Sequence, residues 1–252
     1  MPAAGLSAFR AATRKYEVES LDLDRAQLEL ARKAVEESRL LLVGEPHGAH
    51  ETPKVVYSLL EALDVRAVAF EWSHEEMDAP VQRFVRGDAL DFDRLWSLPA
   101  SADFFAGDGR ITAGHFAMLQ RLRDEGRLEQ VILFDRIDPS PPPPDWRRRD
   151  REMAERLLEE WGGDRRLLVL TGGFHAQLAP DADATMAFHV ADAIPRLRPV
   201  TIEYASGRYW SRGLQDARES GFVAPITFRL DRATPAVVPA PGAHPPRARS
   251  DQ

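Results

Sequence analysis

Six short runs of continuous apolar residues punctuate the chain: RLLLVGE at 39–45, RAVAFEW at 66–72, QVILFD at 130–135, RLLVLTG at 166–172, VTIEY at 200–204 and ITFRL at 226–230. In a strand with one wet face, apolar and polar positions alternate. Runs that stay apolar throughout are the pattern of strands covered on both faces, as in a parallel sheet. Between the runs the period lengthens to that of a helix. Val55, Val56, Leu59, Leu60 and Leu63 fall on one face, with Thr52 placed to cap and Pro53 suited to the first turn. Trp146, Met153, Leu157 and Trp161 share the face of another helix, which Asp145 can cap and Gly162 can end. Strands alternating with helices predict an α/β fold, a mostly parallel central sheet flanked by helices.

One connection breaks this rhythm. The stretch from Glu71 to Gln130 is far longer than a crossover needs. It carries Met77, Val81, Phe84, Val85, Leu95 and Trp96, then an amphipathic segment around Phe116, Leu119 and Leu122. We read it as a small helical insertion at about 73–129, expected to cover the pocket because it leaves and re-enters at strand ends. The proline run at 139–146 is expected to be a stiff connector, since consecutive prolines lack N–H donors and fix φ. The whole reads as a single α/β domain over 1–232, followed by a Pro/Ala-rich tail over 233–252 expected to be disordered.

Composition narrows the function. With 33 basic and 40 acidic residues the formal charge is −7, which disfavours a binder of nucleic-acid backbone. Zero cysteines remove disulfides, thiolate metal sites and a cysteine nucleophile. No apolar run approaches the ~20 residues of a membrane span, and the first 20 residues lack the apolar core of a secretory signal. A cytoplasmic protein with a small-molecule substrate, and with neither nucleic acid nor membrane as partner, is therefore expected. The nucleophile elbow G-x-S-x-G, the Walker A loop and a G-x-G-x-x-G after the first strand are all absent from the sequence.

The chemistry gathers at strand ends. The first run leads into Gly44-Glu45-Pro46-His47 and the fourth into Gly172-Gly173-Phe174-His175. Both are strands followed by G-x-x-H, and in an open parallel sheet the C-terminal ends converge on one crevice. Glu71 and Asp135 end two further runs at the same edge. Imidazole is the natural acid or base near neutral pH, and a carboxylate can orient it. Glu45, His47, Glu71 and His175 are thus candidate catalytic residues, with His47 expected to be the general base. His50, Glu51, Asp135, Arg149 and Asp150 are candidate substrate-binding residues. His74, His115 and His189 lack strand-end context and are assigned to packing or solvent. No obligatory cofactor is expected, although His47, His175, Glu45 and Glu71 have the donor atoms for a divalent ion such as zinc or manganese.

At these residues the chain resembles the erythromycin-esterase-like superfamily, which includes ChaN-type haem-uptake proteins and, more distantly, TIKI/TraB proteins. The resemblance rests on LLLVGEPHGAHE, AFEWS, RRRDREMAERL, LLVLTGGFHAQ and TMAFHVADAI, in order from about residue 39 to 194. It implies an α/β sheet with an esterase-type pocket over the strand ends, Glu45 and His47 supplying the glutamate and base, with Glu71 and His175 as their later counterparts. The segment GGFHAQ departs from the asparagine-containing pattern more usual in the family. The implied activity is hydrolysis of an ester or lactone by histidine-activated water. Elimination or cyclisation of a specialised metabolite on the same acid and base pair is an alternative, as is a ChaN-like haem binder using a histidine as axial ligand.

Overall fold

The computed structural model describes residues 3–136, 145–178, 185–217 and 224–241. Each of the six apolar runs forms a strand within one residue of its expected bounds: β1 (Leu40–Glu45), β2 (Ala67–Ser73), β3 (Gln130–Asp135), β4 (Leu167–Gly172), β5 (Val200–Tyr204) and β6 (Ile226–Leu230). They make one all-parallel sheet in the order β3-β2-β4-β1-β5-β6. Among the described residues the helices are α1 (Leu6–Lys15), α2 (Arg25–Ser38), α3 (Thr52–Ala62), α4 (His74–Val85), α5 (Phe92–Trp96), α6 (Ala113–Asp124), α7 (Trp146–Trp161) and α8 (Met186–Ala193). None is long and apolar enough to cross a membrane.

The strands are apolar at every position because both faces are covered. Leu41, Val43, Val68 and Phe70 pack into a core with α3, α4 and α6, while Leu40, Leu42, Ala67 and Ala69 pack against Met153 and Leu157 of α7 and Met186 and Val190 of α8. Burying a leucine or phenylalanine side chain in such a layer stabilises by about 1.5–3 kcal/mol. Asp145 caps α7 by accepting from the Arg148 N–H, and Gly162 ends it at φ +63°. Thr52 is not a cap: Glu51 occupies that position, and the buried Thr52 hydroxyl lies 3.0 Å from Tyr204 Oη.

The insertion is helical, comprising α4, α5, a 3-10 turn at Asp103–Phe105 and α6. Its aromatic rings receive Phe9 of α1, whose ring centroid is 5.1 Å from Trp96 and 5.9 Å from Phe116. The N-terminal helix thereby closes a core that the insertion cannot complete alone.

The expected tail does not begin at Ala233. Ala233, Ala236 and Val238 are buried, and Val238–Pro239 pairs in parallel with Ala3–Ala4. The segment also accepts the His50 N–H at Thr234 O and the Ala113 N–H at Val237 O, so it straps the first G-x-x-H loop to the insertion. Truncation after Arg232 should therefore lower the melting temperature by several degrees, whereas truncation after Pro241 should not; thermal unfolding of the two shortened proteins checks this. Residues 242–252 lie outside the described residues, as do 137–144, which hold the prolines of the expected connector.

Candidate active site

Register fixes the site. β1 and β4 pair from Leu40 with Leu167 to Glu45 with Gly172, so the two G-x-x-H segments leave the sheet side by side. One strand further, β2 shifts register against β3 between Phe70 and Ser73, and Glu71 sits at that irregularity. The segment following β1 therefore brings His47, and that following β4 brings His175, to opposite oxygens of one buried carboxylate. His47 Nε2 is 3.6 Å from Glu71 Oε2, and His175 Nε2 is 3.6 Å from Glu71 Oε1.

Each imidazole is held from behind by a second buried carboxylate. His47 Nδ1 lies 3.0 Å from Glu45 Oε1, and His175 Nδ1 lies 2.6 Å from Asp150 Oδ1. Asp150 also accepts the Met186 N–H at 2.8 Å, which orients it. An ionised carboxylate only accepts, so both Nδ1 atoms carry the proton and both Nε2 atoms face Glu71.

Glu71 is the hub. Its Oε2 accepts from the Thr171 hydroxyl at 2.7 Å and the Gly172 N–H at 2.8 Å; its Oε1 accepts from Arg149 at 3.0 Å and lies 3.5 Å from Arg110 Nη1. Asp135 is clamped by the same two guanidiniums, with Arg149 donating through Nε at 3.0 Å and Nη2 at 2.5 Å and Arg110 through Nη1 at 2.7 Å. Burial alone would raise the Glu71 pKa, but the charge of His175 whenever that ring is protonated, and those of Arg110, His47 and Arg149, outweigh it and hold this carboxyl well below its usual range. At His47, burial opposes protonation, yet the hydrogen bond to Glu45 and the charges of Glu71, Glu45 and Asp108 push the imidazole up to about 9. At neutral pH His47 is a cation. Glu45 moves the other way from Glu71, raised chiefly by burial and only partly relieved by His47.

Of the residues expected from sequence, Glu45, His47, Glu71, Asp135, Arg149, Asp150 and His175 form one contiguous network. His50 and Glu51 stand apart from it. Tyr16 donates to the His50 carbonyl at 2.5 Å and its ring packs on the imidazole, while Glu51 accepts from the Thr234 N–H and hydroxyl. These two residues fasten the loop rather than face Glu71. His115 is buried beside Phe70 and Trp72, as a packing histidine, with its pKa lowered by burial to about 3. Arg110 is the member that sequence reading missed. It comes from the insertion, where Gly109 at φ +89° crosses Gly48 at φ +82°; a Cβ on Gly109 would lie 2.4 Å from Gly48 Cα. The Trp72 indole donates to the Arg110 carbonyl at 2.8 Å, and Asp108 accepts from its Nε at 2.8 Å. A G-D-G-R loop carries no periodicity, so only the crossing reveals it.

Among the described residues, no group of three or more histidines or carboxylates is arranged to hold a metal ion. Two guanidiniums already stand at Glu71 Oε1, which disfavours a further cation at that oxygen. A cavity of about 210 Å³ lies between the ends of β1, β4 and β5, bounded by Glu45, Pro46, Gly173, Thr201, Tyr204 and Tyr209. A larger groove of about 760 Å³ between α1 and α6 contains none of the network residues.

Gly172 is a test of the geometry. A Cβ there would lie 2.9 Å from His47 Nε2 and 3.6 Å from Glu71 Oε2, so the imidazole tip must move while the strand need not. Gly172→Ala should lower turnover about 10-fold or more with little change in melting temperature, because a misplacement of ~1 Å is enough to reduce rates strongly. Kinetics alongside thermal unfolding separates the two effects.

No family model matches this chain, and no curated protein matches it. Solved structures do. A crystal structure of a Bacillus cereus protein superposes with a TM-score of 0.62 over 93% of this chain and 99% of that one, at 9% identity. At that identity the likeness is one of fold. RRSP, a MARTX toxin effector domain from Vibrio vulnificus, aligns with a TM-score of 0.48 at 13% identity, over 79% of this chain and 44% of that one. The C-terminal region of Pasteurella multocida toxin, reported to hold a thiol-protease-like catalytic triad, aligns with a TM-score of 0.47 at 9% identity, over 97% of this chain and 31% of that one.

Proposed function

We propose that this protein is an acid–base hydrolase of an ester or lactone, of the erythromycin-esterase-like kind, working without a covalent nucleophile. The observation that carries the reading is the pair of imidazoles, each oriented through Nδ1 by its own carboxylate, bracketing Glu71 with their Nε2 atoms. The absence of cysteine excludes a thiolate nucleophile, and water is the attacking group in this reading.

The two histidines take different roles, and not those expected from the sequence. His175, with Nδ1–H directed to Asp150, presents the Nε2 lone pair and removes a proton from water as it attacks the acyl carbon. His47, kept protonated, donates its Nε2 proton to the departing alkoxide as the C–O bond breaks. The products are a carboxylic acid and an alcohol, and each histidine regains its starting state by proton exchange with solvent. Glu71 sustains the His47 charge, and Arg110 and Arg149 keep Glu71 ionised. Such acid and base contributions are each on the order of 10²–10⁴-fold. The same pair could carry out elimination or cyclisation.

Incubation with a panel of esters and lactones, read by mass spectrometry, tests the assignment. Addition of one water supports hydrolysis. Loss of one water assigns the pair to elimination, and an unchanged panel under conditions where the fold is intact removes the hydrolase reading.

A further inference from the structure

The two loops that bring His47 and Arg110 to Glu71 are tied together by a short hairpin that belongs to neither. Its arms, Arg208–Trp210 and Leu214–Asp216, pair antiparallel, and the Ala217 N–H closes it by donating to the Gly207 carbonyl at 2.9 Å. One arm reaches the loop after β1, where the Trp210 N–H donates to the Gly48 carbonyl at 3.1 Å. The tip reaches the insertion, where the Arg212 N–H donates to the Gly107 carbonyl at 2.7 Å. His47 directly precedes Gly48, and Asp108 and Arg110 follow Gly107. Between these two bonds the Trp210 carbonyl lies over the crossing of the loops: a Cβ on Gly48 would come 1.8 Å from its oxygen, and one on Gly109 2.4 Å. Both contacts are with main chain, so no rotamer change relieves them. The base of the hairpin is anchored in the strap, since the Arg208 N–H donates to the Ala233 carbonyl at 3.0 Å.

We infer that this hairpin positions the site: the main chains of Trp210 and Arg212 hold the His47 loop and the Asp108–Arg110 loop at one separation, so that His47 meets Glu71 and Asp108 together. The groups facing the ring show what release would cost. Glu45, on the same loop, lies 3.0 Å from Nδ1 and moves with it. Glu71 on β2 lies 3.6 Å from Nε2, with Arg110 and Arg149 on its other oxygen. Asp108 acts from the insertion loop, and His115 of α6 is held neutral by burial. Release of the hairpin would separate the ring from Glu71 and Asp108, and both losses favour the neutral imidazole. The effect on turnover rests on the acid role proposed for His47; the effect on the titration of the ring does not.

A pair of substitutions at the hairpin tip isolates the main chain. Arg212 takes φ +54°, which glycine adopts freely and proline, fixed at about −65°, cannot. Arg212→Gly and Arg212→Pro both remove the guanidinium, but only the second removes the N–H that Gly107 accepts. The His47 ring, followed by its proton shifts in each full-length variant as pH is raised through about 9, should titrate roughly one pH unit lower in Arg212→Pro than in Arg212→Gly, the scale of one nearby charge. On an ester that the unmodified protein hydrolyses, Arg212→Pro should have a kcat about 10-fold or more below that of Arg212→Gly, with KM changed by less than about 3-fold. In the unmodified protein the Arg212 amide, although at an exposed tip, should exchange with solvent at least about 100-fold more slowly than an unbonded one, a measurement that stands even if the proline variant fails to fold. Equal His47 titration in the two variants, equal impairment of both, or an Arg212 amide exchanging at the unbonded rate would overturn the role of the hairpin. A lowered His47 titration with no ester hydrolysed removes the hydrolase reading and leaves the hairpin's role standing; hydrolysis with His47 titrating alike in the two variants does the reverse.

Discussion

Alanine at His175 or at His47 is expected to lower turnover by roughly 10²–10⁴-fold in each case, and His47→Ala should also lower the melting temperature, because it strands the buried Glu45 carboxylate, so rates are compared at a temperature where each variant is folded. The double variant should be no more than about 10-fold worse than the poorer single, since groups acting on one transition state do not contribute independently. The pH profile distinguishes the roles. His47 is held at about 9 in the free protein, so its acidic form is present at neutral pH and is lost as pH rises through that value. If His47 is the acid, kcat/KM falls above about pH 9, and this alkaline limb disappears in His47→Ala. A rate that instead climbs to a plateau through the same range would make His47 the base, the role its sequence context first suggests. The proposed reversal rests on Glu45 and Glu71 together: a carboxylate at both ends of one imidazole stabilises the cation more than burial opposes it.

The sheet was legible because its physics is local. A strand covered on both faces must be apolar at each position, and RLLLVGE and RLLVLTG show this without reference to anything distant. The convergence of His47 and His175 was legible for a related reason, since parallel strands ending in the same motif deliver it to the same edge. Asp150 and Arg149 followed from their place at the start of α7. What could not be read was whatever depends on two loops meeting. Arg110 reaches Glu71 only because Gly48 and Gly109 let two backbones cross, and no spacing encodes that encounter. His50 and Glu51 looked like site residues because they follow His47 by a few positions, yet the strap at Thr234 claims both. The strap was itself invisible, as alanine, valine and proline in an extended segment make no helical or strand period. The charge on His47 was beyond sequence for a different reason: a pKa depends on which charges end up beside the ring, not on the motif that carries it.

The second large effect is on stability rather than rate. Arg149 is buried and donates to both Asp135 and Glu71, which are themselves almost wholly excluded from solvent. Removing one partner of such a group leaves the two buried carboxylates with Arg110 as the guanidinium they still share, at a cost of about 3–5 kcal/mol. Arg149→Met preserves much of the side-chain volume and so isolates the charge. For a chain of this length that loss corresponds to a drop of about 10 °C in melting temperature. Acid sensitivity should change as well. The Glu71 pKa is depressed in the folded state, so its contribution is present above the unfolded value near 4.5 and is lost as pH falls through the folded one. Without Arg149 the depression shrinks, and the midpoint of acid unfolding should move to higher pH. Adding Asp135→Leu to Arg149→Met removes one stranded carboxylate and should recover part of the stability, because an apolar pair tolerates burial where a lone charge does not. It should recover none of the activity, since Glu71 would still lack one of the two guanidiniums that keep it ionised between the histidines. A melting temperature for Arg149→Met within about 2 °C of the unmodified protein would mean that Arg110 alone neutralises the cluster and that the fold does not depend on Arg149.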